Sequence, residues 1–202
     1  MLRKHKQKPD KLTVAIRILT ALIIIAVTFL LVRIAIRYIM IDSYPQRYNE
    51  SVYKYAEEYD VDPFLIFAII KTESGFNSQA VSNVGARGLM QIMPDTFEWI
   101  RWKWFPEDME DENGLDFDDM FVPDHNIRYG VRLIAYHLHY YENMENSLAA
   151  YHAGDANVDK WLKDESFSSD GKTLNKIPIP ETAHYVRKVT RAYEKYLELY
   201  TT

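Results

Sequence analysis

The sequence predicts an all-α domain carried behind a single N-terminal transmembrane helix. Three observations lead there. Fifteen uncharged residues, Ile18 to Val32, lie between Arg17 and Arg33. Beyond residue 43, apolar residues recur at helical spacing between proline, glycine and asparagine breaks. No alternating strand pattern there exceeds four residues, which leaves room for a small hairpin at most.

The apolar stretch falls short of the roughly 20 residues that span a hydrocarbon core. Extended to 12–41 it is long enough, with Arg17, Arg33 and Arg37 reaching for the head groups. A cleaved signal peptide is the alternative, but "IRYIMIDSYP" offers no small-residue cleavage site. An amphipathic helix lying on the membrane does not match a segment that is apolar on every face. Residues 1–11 are basic, with Arg3, Lys4, Lys6, Lys8 and Lys11 against Asp10, so the N-terminus is expected in the cytoplasm and residues 42–202 outside.

Residues 1–43 hold eight Lys/Arg against two Asp/Glu, which leaves sixteen basic and twenty-seven acidic residues in the remainder, a net charge near −11. Nucleic acid and anionic lipid demand the opposite sign, so neither is an expected partner of that domain. The chain has no cysteine, which excludes disulfides, thiolate metal sites and a cysteine nucleophile. Fifteen tyrosines and four tryptophans suit interfaces or sugar-stacking clefts.

Along the outer domain, Val52, Tyr55 and Tyr59 at helical spacing predict a helix over 48–59. "DVDP" ends it and opens the next, with Asp62 as N-cap and Pro63 in the first turn. The helix from Pro63 to about Glu73 is apolar all round, as a central buried helix is, and Gly75 ends it. "SNVGARGLMQIMPDT" reads as a glycine-bearing loop running into a short helix that Pro94 halts; Asp95 or Thr96 then caps a helix with Phe97, Trp99, Ile100 and Trp104. "FPEDMEDENGLDFDDMFVPD" is expected to be an exposed, mobile acidic connection. Helices follow over 125–141, from Asn146 to His152, and over 181–200, with a loop at "SFSSDGKTLNKIPIP".

Glu73 stands at the tip of the apolar helix. Desolvation and the negative end of the helix dipole both favour its protonated form, as a glycosidic general acid requires. By position alone a solvated helix-end Glu is the commoner case. His137 and His139 are two apart and face different sides of a helix, so they cannot share a metal as an i, i+4 pair would. The Glu107–Asp119 run lacks the spacing of a calcium loop, and no nucleophile elbow or phosphate-cradling loop is present. No metal site is expected.

Four blocks in order, "ESGFNSQAVSNVGARGLMQIMPDT", "NIRYGVRLIAYHL", "SLAAYHAGDANVDKWL" and "IPIPETAHYVRKV", resemble the transglycosylase domain of soluble lytic transglycosylases, over about residues 47–198. That resemblance implies a goose-type lysozyme-like α fold and a cleft for peptidoglycan glycan strands. It implies Glu73 as the one catalytic residue, a 1,6-anhydro product in place of hydrolysis, and no cofactor. It places Ser82, Gln91, Met93, Tyr151, His152 and Tyr185 at substrate-contacting positions, while Gly85, Gly88 and Pro94 shape the loop. His152 departs from the family's A-Y-N-A-G, substituting an imidazole for an amide. A hydrolytic muramidase on the same fold and an inactive glycan-binding envelope scaffold are the alternatives. Any cell-envelope machinery that such an enzyme would join is not identifiable in the sequence.

Overall fold

The computed structural model describes residues 10–110 and 114–201, so Arg3, Lys4, Lys6 and Lys8 of the basic tail and 111–113 of the acidic run lie outside the described residues. Two compact units divide at residues 45 and 46. The first contains one helix, α1 (Lys11–Ser43), opened by Asp10, whose carboxylate accepts the Thr13 N–H at 2.7 Å. None of its residues is buried by protein, and it is long and apolar enough to cross a membrane. Its Thr20 and Thr28 hydroxyls donate to the Ile16 and Ile24 carbonyls, so both polar groups are satisfied within the helix.

The second unit is helical, with no β-strand among its described residues. Its elements are α2 (Asn49–Tyr59), α3 (Pro63–Glu73), α4 (Pro94–Trp104), α5 (Glu107–Glu110), a 3₁₀ turn (Phe117–Phe121), α6 (Pro123–Tyr141), α7 (Met144–Ala153), α8 (Asp155–Leu162) and α9 (Pro180–Tyr200). At the centre is α3, packed on α9 and α2, while α6 packs on α2 and α7. Ile66, Phe67, Ala68, Ile69 and Ile70 are fully buried, which is why this helix is apolar on every face. Each such large apolar side chain contributes about 1.5–3 kcal/mol. Asp62 caps α3 by accepting the Phe64 N–H at 2.8 Å, with Pro63 in the first turn, as the sequence predicts.

Three expectations need correcting. "GLMQIM" forms no helix: the chain doubles back in turns with isolated bridges from Arg87 to Val81 and to Ile92. Gly88 and Gln91 there adopt positive φ, which a helix excludes. Pro94 therefore begins α4 instead of halting a helix, and Met93, not Asp95 or Thr96, is its N-cap. The acidic connection is partly anchored, because Arg128 pairs with Glu107 at 3.1 Å and Asp108 at 3.2 Å, and Tyr129 donates to Asp108 at 2.6 Å. Helix α8 follows Gly154 immediately and has no counterpart in the sequence reading.

Candidate active site

The end of α3 delivers Glu73, and the loop after it folds back over that end. Ser74 ties the two together by donating to the Leu89 carbonyl at 2.8 Å. Asn126, fully buried on α6, holds the loop's far side. It accepts the Met90 N–H at 2.7 Å and donates to the Arg87 and Met120 carbonyls at 3.0 and 2.9 Å. Two glycines make the close approach possible. A Cβ on Gly88 would stand 2.1 Å from the Met120 carbonyl oxygen, and one on Gly130 would stand 2.4 Å from Met90 Sδ. Gly130 thus accepts the helix-interior penalty, about 1 kcal/mol, so that Met90 can lie against α6.

The Glu73 carboxyl is partly buried, and burial pushes its pKa from 4.5 up to about 7. The Tyr185 hydroxyl and the Lys188 cation act the other way, and no carboxylate figures among the described groups that shift it. Lys188 also donates to the Thr72 carbonyl at 3.3 Å, which fixes its charge near the end of α3. The Tyr185 hydroxyl is sealed from solvent and finds no partner at full hydrogen-bond geometry, although it is near enough to Glu73 to hold the acid down. Tyr151 donates to the Met90 carbonyl at 2.8 Å. Burial and the charge of Glu73 raise both phenols well above 10, so each remains a neutral O–H.

The other sequence-predicted residues divide into two groups. Met93, Tyr151 and His152 line a cavity of about 420 Å³. The His152 ring lies 4.6 Å from that of Tyr185, with Nδ1 3.1 Å from Thr182 Oγ1, and the residue remains exposed. Burial lowers its pKa and Glu181 opposes that. Ser82 and Gln91 instead turn their polar groups to the loop. Ser82 Oγ accepts the Val84 and Ala86 N–H groups at 3.3 and 3.0 Å, and Gln91 donates to the Ala80 and Gly88 carbonyls at 3.2 and 2.8 Å. Ser74, Asn126, Thr182 and Lys188 are the site-building residues that sequence reasoning missed. Only their positions inside three of the four ordered blocks, Ser74 in the first, Asn126 in the second, and Thr182 and Lys188 in the last, could have signalled them. A larger cavity of about 550 Å³ lies along α9 at Arg187, Thr190 and Arg191, across the helix from Tyr185.

The acid, its two phenols and the folded-back loop fall inside or just beyond a stretch, residues 50–174, matched by the family model described as the Transglycosylase SLT domain. The chain belongs to this family. It is 31% identical over 157 residues to the soluble lytic murein transglycosylase of Salmonella typhimurium, covering 77% of this chain and 23% of that protein. The membrane-bound lytic murein transglycosylase C of Serratia proteamaculans is 29% identical over 181 residues, covering 77% of this chain and 48% of its own. Among solved structures, an inactive glutamate-to-glutamine mutant of the lytic transglycosylase Slt of Pseudomonas aeruginosa superposes with a TM-score of 0.63 at 30% identity. That match covers 77% of this chain and 24% of the other. The chain spans about a quarter of the length of the first of these SLT relatives.

Proposed function

We propose that this chain is a membrane-anchored peptidoglycan lytic transglycosylase in which Glu73 is the single acid and base. The observation that carries the proposal is a carboxyl held near neutrality by burial, at the end of the buried helix α3 and beside the Tyr185 phenol. Protonated Glu73 donates to the glycosidic oxygen between N-acetylmuramic acid and the next N-acetylglucosamine, and the C1–O bond breaks towards that oxygen. The resulting carboxylate takes the proton of the muramic acid 6-hydroxyl as O6 attacks C1. A 1,6-anhydro end forms, no water is consumed, and Glu73 is protonated again. The substrate's N-acetyl oxygen shields the cationic centre, which removes the need for a second carboxylate. No cofactor takes part.

Met93, Tyr151 and His152 contact the glycan in this scheme, the buried Tyr185 acts through Glu73, and Ser82 and Gln91 set the loop that borders the site. Helix α1 anchors the chain with its N-terminus in the cytoplasm and the catalytic unit outside. Murein-cleaving relatives, one of them membrane-bound, support this reading, as does the glutamate-to-glutamine change in the inactive Pseudomonas structure. Glu73→Gln in the full-length protein, assayed on purified sacculi, tests it. We expect a loss on the order of 10²-fold or more. Retention of more than about a tenth of wild-type activity contradicts the assignment.

A further inference from the structure

We propose that the 550 Å³ cavity along α9 is a binding site for a peptidoglycan stem peptide, separate from the acid and its surroundings. The proposal rests on the peptidoglycan reading above and adds a second place at which the chain holds its substrate. Ala183, Arg187 and Arg191 follow one another at every fourth residue of α9, so one face of that helix forms a wall. Tyr185 lies on the other face, towards Glu73, so a peptide seated in the cavity does not meet the acid.

Charge, floor and wall each point to such a ligand. Arg187 and Arg191 stand one turn apart, about 6 Å along the axis, and Lys176 comes from the facing loop. All three are exposed, and none is in an ion pair among the described residues. Like charges at that helical spacing repel, so an anion brought from outside stabilises the pair. Guanidinium groups hold carboxylates by paired hydrogen bonds. Glu145 and Glu194, also exposed and in no ion pair among the described residues, add two negative groups to the rim. The less exposed Leu174, Ile177 and Val186 supply an apolar floor.

A stem of the L-Ala-γ-D-Glu-L-Lys-D-Ala-D-Ala kind complements this set. Its two carboxylates suit the three cations, its ammonium suits the glutamates, and its alanine methyls suit the floor. A uniformly acidic protein segment is repelled by Glu145 and Glu194, and a long polyanion meets a domain of net charge near −11. The facing wall is already fixed. Asn146, fully buried, donates to the Lys172 carbonyl at 2.7 Å and accepts the Leu174 N–H at 3.2 Å. The Asn175 and Lys176 N–H groups both donate to the Phe167 carbonyl, at 2.8 and 3.2 Å. Binding therefore orders little of the protein. A volume of about 550 Å³ is within the small-ligand range of about 300–1,000 Å³, which suits a short peptide.

The test uses the full-length protein in detergent and three N-acetylated peptides that carry no sugar, so binding is read without cleavage. They are the stem pentapeptide, the same peptide with both carboxylates amidated, and tetraglutamate. We expect the stem pentapeptide to bind tightest, with about tenfold or more lost on amidation and in the double variant Arg187→Gln, Arg191→Gln. The double variant Arg187→Lys, Arg191→Lys retains the charge without the paired hydrogen bonds and should retain part of the affinity. On sacculi the Gln double variant should raise KM several-fold at unchanged kcat. On glycan strands stripped of stems by an amidase it should match wild type. Equal stem binding by the Gln double variant and wild type overturns the site. Tetraglutamate binding as tight as that of the stem overturns the stem assignment in favour of an acidic protein segment. If the Gln double variant does not fold, the Lys double variant and the amidated peptide decide, and undiminished binding of the amidated peptide overturns the site. Cleavage of sacculi without stem binding contradicts this site alone. Arginine-dependent stem binding without cleavage by the wild-type protein contradicts the reaction alone.

Discussion

Glu73→Gln should change stability in a pH-dependent way whose sign and size follow from the site. Folded, the carboxyl titrates at about 7, against 4.5 in the unfolded chain. Below 4.5 both states carry the proton, and the acid contributes no difference. As pH rises from 4.5 to about 7, the unfolded chain releases its proton and the folded one retains it, so stability falls, and the full penalty is in place above about 7. A displacement of that size corresponds to about 3 kcal/mol, which partial exposure of the carboxyl reduces to about 1–3 kcal/mol. Gln is nearly isosteric and carries no charge at any pH, so the variant escapes the penalty. Urea unfolding in detergent micelles reads this out cleanly, because all four tryptophans lie in the second unit. We expect the stability difference between variant and wild type to move by about 1–3 kcal/mol in favour of the variant from pH 4 to pH 8. Every other carboxylate titrates alike in both proteins and cancels. An equal difference at the two pH values refutes a carboxyl raised by burial.

Lys188→Gln removes the cation that favours ionised Glu73, so the acid stays protonated to higher pH; sacculus cleavage at pH 8 should rise on the order of twofold over wild type, as a screened surface charge gives. A fall, or no change in the alkaline limb, contradicts the coupling. Asn126→Ala breaks three hydrogen bonds, two of them buried, and should cost about 3 kcal/mol in urea unfolding, with loss of activity because the loop carrying the Met90 carbonyl is released. For topology, protease added to intact cells with any outer membrane permeabilised should remove the second unit and spare a tag at residue 1. Release of soluble, untagged domain from untreated cells contradicts the anchor.

Local signals made much of this fold legible. An all-round apolar run between Asp62-Pro63 and Gly75 specified α3 to its ends, because burial on every face needs no partner to be identified. The same run made Glu73 conspicuous, and the resemblance carried by the four ordered blocks implied a role for it. What stayed hidden depends on distant contacts. Leu89, Met90 and Ile92 look helical in sequence, yet they are buried in turns held by Asn126 and cleared by Gly130, some forty residues on. The Lys188 contact to Thr72 joins positions 116 residues apart. No window of local sequence contains either relation. Ser82 and Gln91 show the converse limit, since the motif marks their positions and only the structure shows their polar groups committed to the loop backbone.

The most direct measurement of the central claim is the mass of the products. Full-length protein in detergent is incubated with purified sacculi, and the released muropeptides are analysed by mass spectrometry alongside the Glu73→Gln variant. Transfer to the substrate's own 6-hydroxyl predicts 1,6-anhydro ends, each lighter by one water than a reducing end, and none from the variant. Reducing ends would show that water is the nucleophile and contradict the transglycosylase mechanism, and no released product would contradict turnover itself.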